Sequence, residues 1–183
     1  NMYSGALKDS VKEAGYRLDD ASFNMYGGTI TGCNTRDEDA AIISYSSAQI
    51  NIYGGNISGN HKYGISSEGS IYIAGDAKIT GNVEGDVYLH EGQIITVGTL
   101  TSGADIGVTS AVSGDDIAIT GSNTADYSQY FHADNSSYSI TNKENKIYLH
   151  KHSCAHSVTE NTITQRCSVC NNHTATATLT ATD

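Results

Sequence analysis

Histidines and cysteines near the end of the chain have the types and spacing of a metal site. Cys167 and Cys170 have the C-x-x-C spacing that allows two thiolates to bind one ion. His152 and Cys154 are two residues apart, so they share one face of an extended strand. Thiolate and imidazole ligands together favour zinc. We therefore predict a structural Zn²⁺ site formed by Cys154, Cys167, Cys170 and His152.

Other interpretations of this region stay open. His156 and His173 are alternatives to His152 as the fourth zinc ligand. A disulfide would also suit cysteines outside the cell, and free thiols are the third alternative. Either a metal or a disulfide is expected, because the segment 150–183 has few large apolar residues with which to order itself.

Acidic residues could supply general acid and base groups or bind calcium. They occur as the pairs 19–20 and 115–116 and in the run 37–39. Neighbours on a strand point to opposite faces, so an adjacent pair is a poor catalytic dyad. We interpret these acids as solvated turn residues and predict that the chain is not an enzyme. Ca²⁺ at Asp37 and Asp39 is less favoured than Zn²⁺, because no calcium-loop motif surrounds them.

Tyrosines recur at equivalent positions of a repeated segment. Tyr26 and Tyr53 match each other, and Tyr3 precedes them. Rings at equivalent positions of stacked strands should lie above one another on an outer face. Because sugar rings pack well on exposed aromatic surfaces, Tyr26 and Tyr53 are candidate glycan-binding residues. Cross-strand packing also accounts for them, since tyrosine suits half-exposed strand positions, and we favour that interpretation.

An internal repeat supplies the elements that position these residues. Segments 23–33, 50–60 and 71–82 share an apolar-x-apolar start, a glycine turn and a later apolar position. The units begin at Phe23, Ile50, Ile71 and Ile94. Their spacings of 27, 21 and 23 residues are typical of a solenoid. Apolar residues alternate with a period of two, which excludes helical repeats.

Each unit contains three short strands separated by sharp turns, which is the pattern of one rung of a parallel β-helix. Stacked rungs bring equivalent side chains into inward ladders. One predicted ladder contains Met2, Met25, Ile52 and Ile73, and the other contains Leu7, Ile30, Ile57 and Ile79. One turn position is shared by Ser10, Cys33, Asn60 and Asn82, and there asparagine tolerates left-handed backbone and can bond along the stack.

The predicted fold is all-β and has three parts. Residues 1–98 form a short right-handed parallel β-helix of about four rungs. Residues 99–149 form a C-terminal β cap, because an uncovered solenoid end would expose unpaired strand edges. Residues 150–183 form a small His/Cys hairpin module.

The motif N-M/I-Y-G-G-x-I-S/T-G-N, with segments 85–89 and 94–97, resembles a known family. The family is the pectate-lyase-like right-handed β-helix arrays in large surface proteins of Gram-positive gut bacteria. Segments 100–109 and 130–134 resemble the part that closes such arrays. The resemblance covers most of residues 1–149 and implies an adhesin-like surface protein, with no catalytic motif that defines the array.

Composition and charge exclude several classes of partner and fold. A formal net charge of −10 would repel phosphate backbones, so no nucleic-acid partner is expected. No stretch approaches the length of an apolar membrane span. Only 16% of residues are charged, and Gly, Ser, Thr, Asn and Tyr are abundant, which argues against a helical bundle, whose exposed faces need charged residues. The repeat is already under way at Asn1, so we expect the chain to be part of a longer protein.

The predicted function is that of an extracellular structural or adhesive region of a cell-surface protein. Such a region acts as a stalk or as a scaffold that displays ligands. Its expected partners are neighbouring domains of a longer chain and host or cell-wall glycans or proteins. The alternative is a carbohydrate-active β-helix domain, either a glycan binder or part of a polysaccharide lyase or glycosidase.

Overall fold

Parallel β-strands stacked in about five turns form the body of the protein, close to the four rungs predicted. The computed structural model describes residues 1–10, 15–33, 40–45, 47–152, 154–159, 162–167 and 174–178. From residue 154 onward it describes the backbone alone. The all-β class and the solenoid architecture are confirmed.

The solenoid strands are short because glycine and polar turns interrupt the chain every few residues. In chain order they are β1 (Ala6–Lys8), β2 (Tyr16–Asp19), β3 (Ser22–Met25), β4 (Thr29–Thr31), β5 (Ala40–Tyr45), β6 (Gln49–Ile52), β7 (Asn56–Ser58), β8 (Tyr63–Ser67), β9 (Ser70–Gly75), β10 (Lys78–Ile79), β11 (Gly85–Leu89), β12 (Ile95–Leu100) and β13 (Asp105–Ser110). In β3 and β6 apolar and polar residues alternate, because one face of the strand is buried, whereas β5 is buried along almost its whole length.

These strands form three parallel stacks, one for each face of the solenoid. The first stack is β1-β4-β7-β10-β13, the second is β2-β5-β8-β11-β13, and the third is β3-β6-β9-β12. Strand β13 belongs to two stacks, because its start pairs with β10 and its end pairs with β11. Successive turns lie in register in these stacks, apart from a register shift between Val97 and Leu100 where β12 pairs with β9.

Both predicted inward ladders are confirmed. A β-bridge joins Met2 to Met25, and the strand register pairs Met25 with Ile52 and Ile52 with Ile73. The second ladder pairs Leu7, Ile30, Ile57 and Ile79 in that order. Full burial of an isoleucine side chain stabilises a fold by roughly 1.5–3 kcal/mol. These ladders are therefore a main source of stability.

At the ladder corner the left-handed residue is Asp9, with a φ of 55°, in the first turn and a glycine in the next three, and in no case an asparagine. Gly32, Gly59 and Gly81 have φ values of 66°, 63° and 70°, and each precedes the ladder residue. Asn60 and Asn82 share the predicted turn position, but the residue with left-handed backbone is the glycine that precedes each of them. Glycine adopts this conformation without a Cβ clash, so the asparagine that follows keeps ordinary backbone angles.

A small antiparallel sheet covers the C-terminal end of the solenoid. The elements after β13 are β14 (Asp116–Ala118), a 3₁₀ turn (Ser128–Tyr130), β15 (Phe131–Ala133), β16 (Tyr138–Lys143) and β17 (Lys146–Lys151). The covering sheet has the order β14-β17-β16, and its Ile147 and Leu149 join the apolar core of the solenoid. Strand β15 instead pairs in parallel with β13, so solenoid-like pairing continues into this region.

A second antiparallel sheet follows the cap. It contains β18 (Cys154–Thr159), β19 (Thr162–Cys167) and β20 (Thr174–Thr178) in sequence order. The register places Cys154 opposite Cys167.

Candidate metal centre

A ladder of buried amides runs along one corner of the solenoid. The Cys33 N–H donates to Asn60 Oδ1 at 3.1 Å. The N–H and Nδ2 of Asn60 donate to Asn82 Oδ1 at 3.1 and 2.7 Å. A turn breaks the strand pairing and leaves buried backbone N–H groups that must find another acceptor. The asparagine side chains supply it, so the predicted bonding along the stack is confirmed.

Asp86 of β11 ends this ladder. Its Oδ1 accepts hydrogen bonds from the N–H and Nδ2 of Asn82 at 3.0 and 2.7 Å. An ionised carboxylate accepts hydrogen bonds and donates none, so it can terminate a chain in which each amide donates to the next residue. The side chain is only 3% exposed, and its other oxygen, Oδ2, lies 3.5 Å from His132 Nε2.

Asp134 follows β15, and hydrogen bonds hold one of its two carboxylate oxygens, as they do in Asp86. Its Oδ2 accepts hydrogen bonds from the Asp86 N–H at 2.8 Å and from Thr109 Oγ1 at 3.0 Å. Its Oδ1 lies 3.8 Å from His132 Nε2. In each carboxylate, one oxygen therefore accepts hydrogen bonds from neighbouring protein groups, and the other oxygen lies near the His132 imidazole.

His132 is oriented by a third carboxylate and by the strand beneath it. Its Nδ1 lies 3.0 Å from Asp105 Oδ1, which directs Nε2 towards the other two acids. The β13–β15 register places His132 opposite Gly107. A Cβ at Gly107 would collide with Asp86 Oδ2 and Asp134 Oδ1. The absence of a side chain at Gly107 therefore leaves the space that these two oxygens occupy.

The three residues Asp86, His132 and Asp134 form what we call the DHD cluster. One ligand atom from each lies within 4.8 Å of the others. An open concavity of about 300 Å³ reaches the cluster from solvent. Two carboxylates and an imidazole in this arrangement can bind a divalent cation, and they can also exchange protons with a bound molecule.

Burial and mutual contacts shift the pKa values of all three residues of the DHD cluster. Burial raises the pKa of Asp134 to about 6, and the charge of Asp86 adds to that effect. Burial also opposes ionisation of Asp86, but hydrogen bonds from His132 and Asn82 outweigh it and lower the pKa of Asp86. The hydrogen bond to Asp86 raises the pKa of His132 above its ordinary value.

We expect the chelator-treated protein to lose stability as the pH rises above about 4, first as Asp134 ionises and then, above the ordinary histidine pKa of 6.5, as His132 loses its proton. Asp134 has a pKa of about 6 when folded and an ordinary value of 3.8, so its stabilising proton is lost between those limits. His132 has a raised pKa, so its contribution is complete below the ordinary value of 6.5 and is lost at higher pH. The lowered pKa of Asp86 acts in the opposite sense, but only at more acidic pH.

Melting temperatures measured against pH in excess chelator check this expectation. Asp134→Asn should flatten the curve below pH 6, and His132→Gln should flatten it above that value. A melting temperature that climbs steadily between pH 5 and 8 in the unmodified chain would contradict the assignment.

The predicted tyrosine stack exists. The rings of Tyr3 and Tyr26 lie 4.9 Å apart and those of Tyr26 and Tyr53 lie 4.8 Å apart, both nearly parallel. Tyr72 adds a tilted ring 5.5 Å from Tyr53. Stacking covers both faces of Tyr26, so its exposed parts are the ring edge and hydroxyl. Glycan binding by Tyr26 and Tyr53 stays a prediction.

The predicted zinc ligands lie at the margin of the described chain. His152 is half-buried, and its N–H donates to the Ser137 carbonyl at 2.8 Å. The backbone register makes Cys154 and Cys167 neighbours across two strands. Cys170 lies outside the described residues, as does the alternative ligand His173. The zinc site at Cys154, Cys167, Cys170 and His152 therefore stays a prediction.

The described acidic pairs lie on the surface. Asp19 lies 3.7 Å from Arg17, and both side chains are more than half exposed. Asp116 accepts hydrogen bonds from Lys143 and His150 at 2.6 and 2.7 Å, and these lower its pKa. The run 37–39, with the calcium candidates Asp37 and Asp39, lies outside the described residues.

The DHD cluster was missed by sequence reasoning. Asp86 and the segment 130–134 were recognised only as parts of motifs that resemble a family, and not as candidate metal ligands. One signal was available, because His132 and Asp134 are two residues apart and share a strand face. Asp86 lies 46 positions before His132, and only the stacking of β15 on β13 brings it close.

The fold and the DHD cluster define the protein as an all-β solenoid with a candidate cation site at its closed end. No family model, curated protein or solved structure matches this chain. No helix among the described residues is long and apolar enough to cross a membrane.

Proposed function

We propose that the chain is an extracellular, non-catalytic scaffold in a longer bacterial surface protein. It acts as a stalk that holds neighbouring domains apart or as a scaffold that displays ligands, and its partners are neighbouring domains and host or cell-wall glycans or proteins. The surface location is supported by the resemblance of the repeat motifs to β-helix arrays of such proteins. A net charge of −10 supports partners other than nucleic acid.

The observation that carries the proposal is the uninterrupted interior. The isoleucine ladder through Ile30, Ile57 and Ile79 continues to Ile106 without an exposed member. The described strands of each turn pack on those of the next, so the turns act as one rigid body. At about 4.8 Å per turn, about five turns give a rigid spacer of roughly 24 Å.

Incubation with polysaccharides tests the non-catalytic part of the proposal. We expect the intact chain to release no reducing or unsaturated ends from pectin, polygalacturonate, hyaluronan or mucin glycans. Colorimetric and ultraviolet assays of these ends provide the measurement.

Among the described residues, the DHD cluster is the group best suited to acid or base catalysis, so its variants test whether any activity is genuine. Release of sugar ends that disappears in Asp86→Asn and in Asp134→Asn, but persists in Asp116→Asn, would favour the carbohydrate-active alternative. Asp116 is a suitable comparison because it also accepts hydrogen bonds from a histidine and lies on the cap surface.

A further inference from the structure

We propose that Asp86, His132 and Asp134 bind one divalent transition-metal ion, best matched by Zn²⁺, and that the ion fastens β15 to the end of the solenoid. This inference is independent of the scaffold role. It concerns a site that is separate from the predicted cysteine site in the tail.

The spacing of the three ligand atoms suits a metal of this size. Tetrahedral zinc binds imidazole nitrogen and carboxylate oxygen at about 2.0–2.2 Å, which separates neighbouring ligand atoms by about 3.4 Å. His132 Nε2 lies 3.5 Å from Asp86 Oδ2 and 3.8 Å from Asp134 Oδ1. Both separations are slightly longer than this value, and the three ligand atoms all lie within 4.8 Å of one another, so the ligands must contract around an ion.

The second nitrogen of His132 has the partner that metal-bound histidines usually have. Nδ1 lies 3.0 Å from Asp105 Oδ1, and a proton on Nδ1 leaves the Nε2 lone pair directed at the two carboxylates. Carboxylate–histidine–metal arrangements of this kind orient the ring and increase its basicity. Asp105 is therefore a positioning residue, not a ligand.

The rigidity of the two carboxylates also favours an ion. Asp86 is held by two donors of Asn82, and Asp134 is held by the Asp86 N–H and Thr109. The remaining oxygens converge over Gly107, where no side chain occupies the space. The ligands are thus preorganised by contacts that a bound ion would leave intact.

Charge provides a further argument. Three carboxylates, those of Asp86, Asp105 and Asp134, surround one imidazole. Even a protonated ring leaves this group with net negative charge, and Asp86 is almost fully buried. A divalent cation compensates buried carboxylates more completely than the imidazolium does.

The site joins parts of the chain that are distant in sequence. Asp86 belongs to β11 in the solenoid, while His132 and Asp134 belong to β15 and the residue after it. A bound ion would add a direct link between these elements at the end that the cap must cover. A fourth ligand would approach from the open concavity that the three residues line, where a water molecule suits it.

Calorimetric titration of the full chain with ZnCl₂ tests the proposal. The chain should carry Cys154→Ser, Cys167→Ser and Cys170→Ser, so that the tail thiols contribute nothing. Cys33 is buried and burial raises the pKa of its thiol, so it does not compete. We expect one Zn²⁺ per chain, a higher melting temperature and slower hydrogen exchange of the β15 amides. CaCl₂ should produce none of these, because calcium prefers ligand sets made of oxygen.

Single substitutions in this background assign the ligands. His132→Gln, at a half-exposed position that tolerates change, should weaken Zn²⁺ binding at least tenfold, and Asp134→Asn should do the same. Asp105→Asn should weaken it by about 10–100-fold, as expected for loss of a positioning partner. His150→Gln is the matched control, because His150 also has its Nδ1 against an aspartate, and binding should not change.

Three results would overturn the proposal. They are the absence of Zn²⁺ binding in the thiol-free chain, binding that His132→Gln leaves unchanged, and binding that His150→Gln weakens equally. Circular dichroism in chelator verifies that each variant is folded. If Asp134→Asn fails to fold, His132→Gln alone decides between the outcomes.

Discussion

Replacing Ile52 with aspartate should destabilise the protein by more than about 4 kcal/mol, the largest effect that we expect from a single substitution. Ile52 has no exposed surface and lies in the middle of a ladder between Met25 and Ile73. The substitution removes a packed side chain, which alone costs about 2–5 kcal/mol. It also places a charge where no partner can reach it. Urea denaturation monitored by circular dichroism measures the change.

The same strand offers the control for this experiment. Gln49 is exposed at the start of β6, so Gln49→Asp should change stability by no more than about 0.5 kcal/mol. Ile52→Val should cost about 1 kcal/mol and remain measurable if Ile52→Asp does not fold. Equal stability of Ile52→Asp and Gln49→Asp would mean that the register of β6 is wrong.

Asn60→Ala should cost about 2–4 kcal/mol, the second largest effect that we expect. The substitution deprives the buried Cys33 N–H of its acceptor and removes the amide bonds to Asn82 Oδ1 and the Ile30 carbonyl. A buried donor without a partner costs about 1–3 kcal/mol by itself, because it has lost water and gained nothing. Chemical denaturation of the purified variant is the measurement.

A second asparagine ladder on the outside of the solenoid gives a matched comparison. Asn51 Nδ2 donates to Asn24 Oδ1 at 3.0 Å, but Asn51 is only partly buried. Water can replace the lost bond there, so Asn51→Ala should cost less than about 1 kcal/mol. If the two substitutions prove equally costly, burial does not account for the importance of the inner ladder.

The predictable part of the fold came from repetition. A pattern such as Ile50-Asn51-Ile52 defines which face of a strand is buried, and three copies at similar spacing define the stack. The backbone of the ladder turn was less predictable. Glycine and asparagine both tolerate left-handed angles, and Gly59 rather than Asn60 adopts them.

The candidate site was not predictable by the same means. Repeats reveal contacts between equivalent positions, such as Asn60 with Asn82. The contact of Asp86 with Asp134 joins a repeat residue to a segment that has no repeat counterpart. Sequence spacing carries no information about such a pair, because the intervening chain can return to any part of the solenoid end.

The sequence by itself determined the all-β class, the parallel solenoid and the identity of the inward ladders. It could do so because burial on one face of a strand leaves a period of two, and stacking makes that pattern recur. Only the tertiary structure decided that β15 lies on β13, which places His132 and Asp134 beside Asp86. The physical reason is that convergence of side chains over Gly107 depends on how the end of the solenoid is closed. That closure results from long-range packing of unlike segments, which no local pattern records.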